Sequence, residues 1–158
     1  MSTLYFIDVD GTVANNSHRE HLSRSGAWDE FFSDRQIALD TPIEAALAHF
    51  HEGEFVHGDH VILTARPEFT KNATREWLEE FGFITPDTRI ICKPDCIQTM
   101  RSGIFKKSVL DTMSKYDYAH YSQYIMVDDY DQVLTSCSEL GHPFWVAEAP
   151  TCWIDGTF

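Results

Sequence analysis

The chain has 158 residues with 43% hydrophobic content, enough for one domain with a real core and too little for two ordinary ones. A formal net charge of −13 and a pI near 4.8 exclude an extended duplex-binding surface, because nonspecific nucleic-acid affinity comes from many Lys and Arg contacts to phosphate. No apolar stretch approaches the roughly 20 residues of a membrane span, and the N-terminus has no signal-peptide pattern, so no membrane association and a cytoplasmic location are expected. Cys92, Cys96, Cys137 and Cys152 form no C-x-x-C pair and read as reduced thiols.

Strand-like and helix-like stretches alternate along the chain, which predicts an α/β domain with a Rossmann-like, mainly parallel sheet flanked by helices. The first strand covers Thr3 to Val9 and runs out into Asp8-Val9-Asp10-Gly11-Thr12. Short helices follow near Ser17–Arg24 and Trp28–Asp34, then a third begins at Asp40-Thr41-Pro42, where Asp40 or Thr41 can cap and Pro42 suits the first turn. The second strand is Asp59 to Thr64, and the helix after Ala65-Arg66-Pro67-Glu68 places Ala73, Trp77, Leu78 and Phe81 on one face and ends at Gly82. Further strands are expected at Arg89–Lys93, Tyr124–Val127 and Pro143–Ala147, with helices at Lys106–Tyr116 and Gln132–Leu140.

This layout puts polar residues at the C-terminal ends of strands, where open parallel sheets bind ligands. Alternate residues of a strand share a face, so Asp8 and Asp10 can enter one pocket, and Gly11 lets the chain turn away. Paired carboxylates suit phosphoryl chemistry: one attacks while its neighbour, with a raised pKa, moves the proton, and a hard cation such as Mg²⁺ relieves their repulsion. Thr64 and neighbouring N–H groups can bind phosphate oxygens, Arg66 can grip them bidentately, and Asp128 and Asp129 can complete a metal shell. A lysine is also needed to balance charge, and Lys106 and Lys107 lie ahead of the acidic strand end.

In this order the segments resemble the haloacid dehalogenase (HAD) superfamily of phosphatases. Asp8-Val9-Asp10-Gly11-Thr12 is similar to its first motif, Leu63-Thr64 with Ala65-Arg66 to its second, Lys106 or Lys107 to its third and Val127-Asp128-Asp129 to its fourth. Within it the chain is most similar to phosphatase domains of phage polynucleotide kinase 3′-phosphatases, through Val13-Ala14-Asn15-Asn16, His18-Arg19, Thr64 to Glu68 and the ending Phe144-Trp145-Val146-Ala147. The resemblance implies Asp8 as nucleophile and Asp10 as acid then base. It also implies Mg²⁺ held by Asp8, the Asp10 carbonyl and Asp128 or Asp129, with Asp129 the favoured direct ligand, and phosphoryl oxygens held by Thr64 and Arg66. Lys106 fits the third motif through Val109 and Lys107 through Leu110, with Lys106 favoured. Val13–Asp40 takes the place of a cap and reads as a small helical lid at residues 13–40 of a single domain 1–158. There His18, Arg19, Arg24 and Trp28 are candidate contacts to a nucleotide or a 3′-phosphorylated nucleic-acid end. A phage protein would act in the host cytoplasm.

No G-x-x-x-x-G-K-[ST] occurs, so the kinase half of those bifunctional relatives is absent from this sequence, and the region Met100–Lys106 is shorter than theirs. Two further readings stay open: a 5′-nucleotidase or small-metabolite phosphatase, and a catalytically idle HAD-fold protein-binding module. A zinc site at His49, His51, His57 and His60 is disfavoured by their spacing. Trp77, Phe81, Phe144 and Trp145 are expected in the core.

Overall fold

A computed structural model describes residues 2–52, 59–141 and 144–148, the last five and residue 52 by backbone alone. Five strands form a wholly parallel sheet: β1 (Thr3–Ile7), β4 (Asp59–Pro67), β5 (Ile90–Lys93), β6 (Gln123–Asp128) and β7 (Phe144–Glu148), in the spatial order β5-β4-β1-β6-β7. Strand order therefore reverses at β1, the topological switch point where such sheets bind ligands. The predicted fold class is the one observed.

The sheet is buried on both sides, and the sequence period explains how. Tyr5, Ile7 and Val9 pack with Trp77, Leu78 and Phe83 on one side, whereas Leu4 and Phe6 pack with Phe105, Leu110 and Val133 on the other. Helix α5 (Lys71–Glu80) covers the first face; α6 (Ser102–Lys115) and α7 (Asp131–Ser138) cover the second. Gly82, at φ +75°, ends α5 as expected, and its N–H donates to Glu79 O.

Two boundaries differ from the sequence reading for identifiable reasons. Helix α6 starts four residues before Lys106, through Gly103, a residue that normally disfavours helix. A Cβ there would stand 2.8 Å from Gln132 O and 2.6 Å from Ser136 Oγ, so glycine is what lets α6 lie against α7. Thr41–Pro42 is strand β3, not a helix start; it pairs antiparallel with β2 (Ala14–Asn15), and α4 begins at Glu44 and runs to Glu52. Asp40 is accordingly no helix cap.

Between β2 and β3 lie a 3₁₀ turn (Ser17–Arg19), α1 (Glu20–Arg24), α2 (Trp28–Phe31) and α3 (Asp34–Ala38). Ser33 Oγ accepts from Gln36 N and caps α3, so the helix predicted over Trp28–Asp34 ends at Phe31 and α3 follows as a separate helix. Cys92 and Cys137 are buried free thiols and Cys96 is exposed; Cys152, His57 and the side chains of Phe144 and Trp145 lie outside the described residues. Among the described residues no helix is long and apolar enough to cross a membrane.

Candidate active site

Strand parity carries Asp8 to the site. Leu4 and Phe6 face α6 and α7, and so do Tyr124 and Met126 of β6; Asp8 and Asp128 continue those two rows past the apolar part of the sheet. Asp8 N still donates to Val127 O at 3.0 Å, which holds the two strand ends side by side. Lys106, in the second turn of α6, fills the gap: its Nζ donates to Asp8 Oδ1 at 2.7 Å and to Asp128 Oδ2 at 2.5 Å. Lys107 points the other way and pairs with Glu139 on the surface, so the lysine between the two acids is Lys106.

Asp129 completes this acidic half. Ligand oxygens of Asp8, Asp128 and Asp129 lie within 4.8 Å of one another, the one such metal-capable cluster among the described residues. Gly11, at φ +80°, leaves room for it: a Cβ there would stand 2.0 Å from Asp129 Oδ2. Thr12 Oγ1 donates to Asp8 Oδ2 at 3.2 Å, and Tyr130 N donates to Asp128 Oδ1 at 3.0 Å. Three carboxylates face one ammonium, an excess of negative charge that oxygen-seeking divalent cations offset, so the donor set fits Mg²⁺.

The titration of these groups reflects that excess. Burial, opposed by Lys106 and reinforced by Asp128, pushes the Asp8 carboxyl well above its ordinary value. Asp129 is likewise raised, by burial and by Asp128. Burial alone would lower the Lys106 ammonium, but Asp8 and Asp128 outweigh it and raise the group above the ordinary lysine range.

The second half is built around arginines. Thr64, Ala65 and Arg66 lie near the C-terminal end of β4, where its register with β5 is irregular between Leu63 and Pro67. Arg66 donates from Nε to Asp10 Oδ2 at 3.0 Å and from Nη2 to Asp10 Oδ1 at 2.7 Å, a bidentate pair, while Nη1 reaches Thr74 Oγ1 at 3.0 Å. Behind them Asp40, fully buried, accepts from Arg66 Nη2, Arg19 Nε and Arg19 Nη2, each at 2.9 Å. Trp77 Nε1 fixes the Asp40 backbone oxygen at 2.9 Å, and His18 Nε2 lies 2.9 Å from Asp40 Oδ1. Burial would raise Asp10, but Arg66, Arg19 and Lys106 together hold it below its ordinary value.

The raised carboxyl is thus Asp8 and the lowered one Asp10, the reverse of the pairing read from the sequence. The cause is the placement of cations: both arginines converge on the Asp10 side. Arg66 was expected to hold phosphoryl oxygens; it lines the cavity, yet its guanidinium is bound to Asp10, Asp40 and Thr74. Arg19, expected as a substrate contact, is wholly buried and is engaged with Asp40, Asp10 and Phe31 O. Neither Arg19 nor His18 lines the cavity, and Arg24 is an exposed partner of Glu20.

Sequence reasoning missed Asp40, read there as a cap, together with Thr74. Its signal was faint: an acid whose arginine partners lie 21 and 26 positions away. His51 and His60 reach Phe81 O and Phe83 O, and no histidine among the described residues joins the acidic cluster.

A cavity of about 730 Å³ opens over these groups, lined by Asp8, Asp10, Thr64, Arg66, Lys106 and Asp128 and also by Trp28, Phe69 and Tyr130. Compared with known proteins, the chain matches no family model and no curated protein. Among solved structures, a haloacid dehalogenase-like hydrolase from Burkholderia xenovorans LB400 matches with a TM-score of 0.54 and 18% identity over 92% of this chain and 80% of that one. The likeness establishes a shared HAD-like α/β fold.

Proposed function

We propose that the protein is a Mg²⁺-dependent phosphomonoesterase that works through an aspartyl-phosphate on Asp8. The observation that carries this reading is Lys106 held between Asp8 and Asp128, with Asp129 beside them, at the switch point of the sheet. Asp8, Asp128 and Asp129 would hold Mg²⁺, which when bound supplies charge neutralisation for nucleophile and phosphoryl oxygens.

In the first half-reaction an Asp8 oxygen bonds to phosphorus as the bond to the leaving alcohol breaks, and Asp10 gives its proton to the departing oxygen. The arginines favour ionised Asp10, and the negative charge of the bound phosphoryl group would offset them and favour the protonated form that this donation uses. In the second half Asp10 takes a proton from water, whose oxygen attacks phosphorus and frees Asp8. Ionised Asp10 is the form this step uses. Lys106 keeps Asp8 aligned, and Thr64 lies at the cavity wall near the phosphoryl position.

For substrate, the resemblance of the motif-flanking residues favours 3′-phosphates of nucleic-acid ends or nucleotides, and α1 to α3 would serve as a small lid that leaves the site open. The test is Mg²⁺-dependent phosphate release from a 3′-phosphorylated oligonucleotide, 3′-nucleotides and 5′-nucleotides, with Asp8→Asn as control. Preference for 3′-phosphates is expected. Preference for 5′-nucleotides would make it a nucleotidase, and silence on all three, or full activity of Asp8→Asn, would remove the proposal.

A further inference from the structure

Among the described residues four large aromatic side chains are exposed: Trp28, Phe69, Tyr116 and Tyr130. Three of them line the cavity that contains Asp8. Trp28 is 53% exposed, Phe69 65% and Tyr130 49%, and they come from three separate segments, α2, the turn after β4 and the residue after Asp129. An apolar core would have no reason to leave these rings in water beside a group of carboxylates.

The rings are held in place from behind. Trp28 stacks on Phe32 with centroids 6.0 Å apart, Phe32 meets the edge of Phe69 at 6.2 Å, and Phe31 packs against both Trp28 and Phe32. Phe31 is in turn fixed by Arg19, whose guanidinium lies 4.4 Å over its ring and donates to its carbonyl at 2.9 Å. Arg19, one of the two arginines that contact Asp10, thus also anchors the helix that carries Trp28.

The cations of the cavity say how much of a ligand the site grips. Those among its described lining residues are Arg66, Lys93 and Lys106, all buried; Arg66 and Lys106 face the acids already described, and Lys93 donates to Met100 O. None is exposed at the rim, where a second phosphate would lie.

We infer that Trp28 and Phe69 form a stacking platform for the base of a single nucleotide whose phosphate reaches Asp8, with no grip on neighbouring phosphates. This rests on the phosphatase reading and adds to it which part of the substrate is recognised. A flat π-face is what exposed aromatic rings beside an anion site select, and stacking tolerates any base.

The test is calorimetric binding to the otherwise intact Asp8→Asn protein in Mg²⁺, comparing adenosine 3′-monophosphate, adenosine 5′-monophosphate and β-glycerol phosphate. At least one nucleotide is expected to bind roughly 10-fold or more tightly than the glycerol ester. Adding Trp28→Ala or Phe69→Ala should erase most of that preference, and Trp28→Phe should keep it. A 3′-phosphorylated oligonucleotide should gain little over the mononucleotide and show a shallow salt dependence. Equal affinity for nucleotides and glycerol ester, or a preference untouched by both alanine variants, would overturn the platform. A steep salt dependence with much tighter oligonucleotide binding would overturn the single-nucleotide grip. Phosphate release by the wild-type chain decides the other question separately: base-dependent binding without hydrolysis of any ester would discard the phosphatase reading and leave the platform.

Discussion

Asp8 and Asp10 stand two residues apart in the same loop and belong to opposite electrostatic environments. Around Asp8, a single ammonium, from Lys106, is shared by Asp8 and Asp128, with the Asp129 carboxylate beside them. Around Asp10, Arg19 and Arg66 match the charges of Asp10 and Asp40, and every arm is hydrogen-bonded. The first half is left short of positive charge and calls for a cation; the second is closed on itself and holds its groups still. A carboxylate's role here is set by which cations the fold brings to it and not by its position in the motif.

The largest expected effects break one half at a time. Asp8→Asn should cost at least about 10⁴-fold in kcat/KM, since it removes the nucleophile. In the absence of Mg²⁺ the same variant should unfold at a higher temperature than wild type, because the folded site disfavours the charge that Asn lacks. Asp40→Ala should do the reverse on stability: stripping the buried partner from Arg19 and Arg66 should destabilise the protein by about 3–5 kcal/mol, read by urea unfolding. If Asp8→Asn were the less stable variant in metal-free buffer, the contrast between the halves would be gone.

The pH dependence of stability separates them as well. Asp10 has a folded value below its unfolded one, about 3.9, so its stabilising contribution is complete above that pH and is lost as pH falls through the folded value. Asp8 has a folded value above its unfolded one, so its ionisation in the folded state costs stability as pH rises past the unfolded value, reaching its full extent above the folded one. Asp10→Asn should therefore flatten the fall of metal-free urea stability below about pH 4, whereas Asp8→Asn should remove a loss that accrues on the higher-pH side.

Smaller changes sharpen the comparison. Gly11→Ala should weaken Mg²⁺ binding, since its Cβ would displace the Asp129 carboxylate and its φ of +80° suits glycine. Lys106→Ala should abolish turnover while Lys107→Ala, which loses only a surface pair with Glu139, should leave kcat/KM within about twofold of wild type. Equal, mild losses in both would defeat the assignment of Lys106.

Much of this was legible in the chain. Apolar runs such as Leu4 to Ile7 and Val61 to Leu63 announce buried strands, and the parity within them delivers Asp8 and Asp128 to one face. The lysine spacing favoured Lys106, and the helix places it between the acids. What the chain did not disclose depends on contacts distant in sequence. Asp40 sits two residues before a proline and reads as a cap; only the folded chain brings Arg19 and Arg66 to it, and with them the lowered Asp10. Gly103 disfavours helix, and only its closeness to Ser136 and Gln132 explains a glycine inside α6. The aromatic wall is invisible as a pattern, because Trp28, Phe69 and Tyr130 lie on unrelated segments.

The most direct test of the charge imbalance is the unfolding midpoint at neutral pH with and without Mg²⁺, in wild type, Asp129→Asn and Lys107→Ala. A cation at 100 times its Kd stabilises by about 2.7 kcal/mol, roughly 5–10 °C for a chain of this size. The account predicts that shift in wild type and Lys107→Ala and a much smaller one in Asp129→Asn. A midpoint indifferent to Mg²⁺, or an equal shift in Asp129→Asn, would contradict a cation site at Asp8, Asp128 and Asp129.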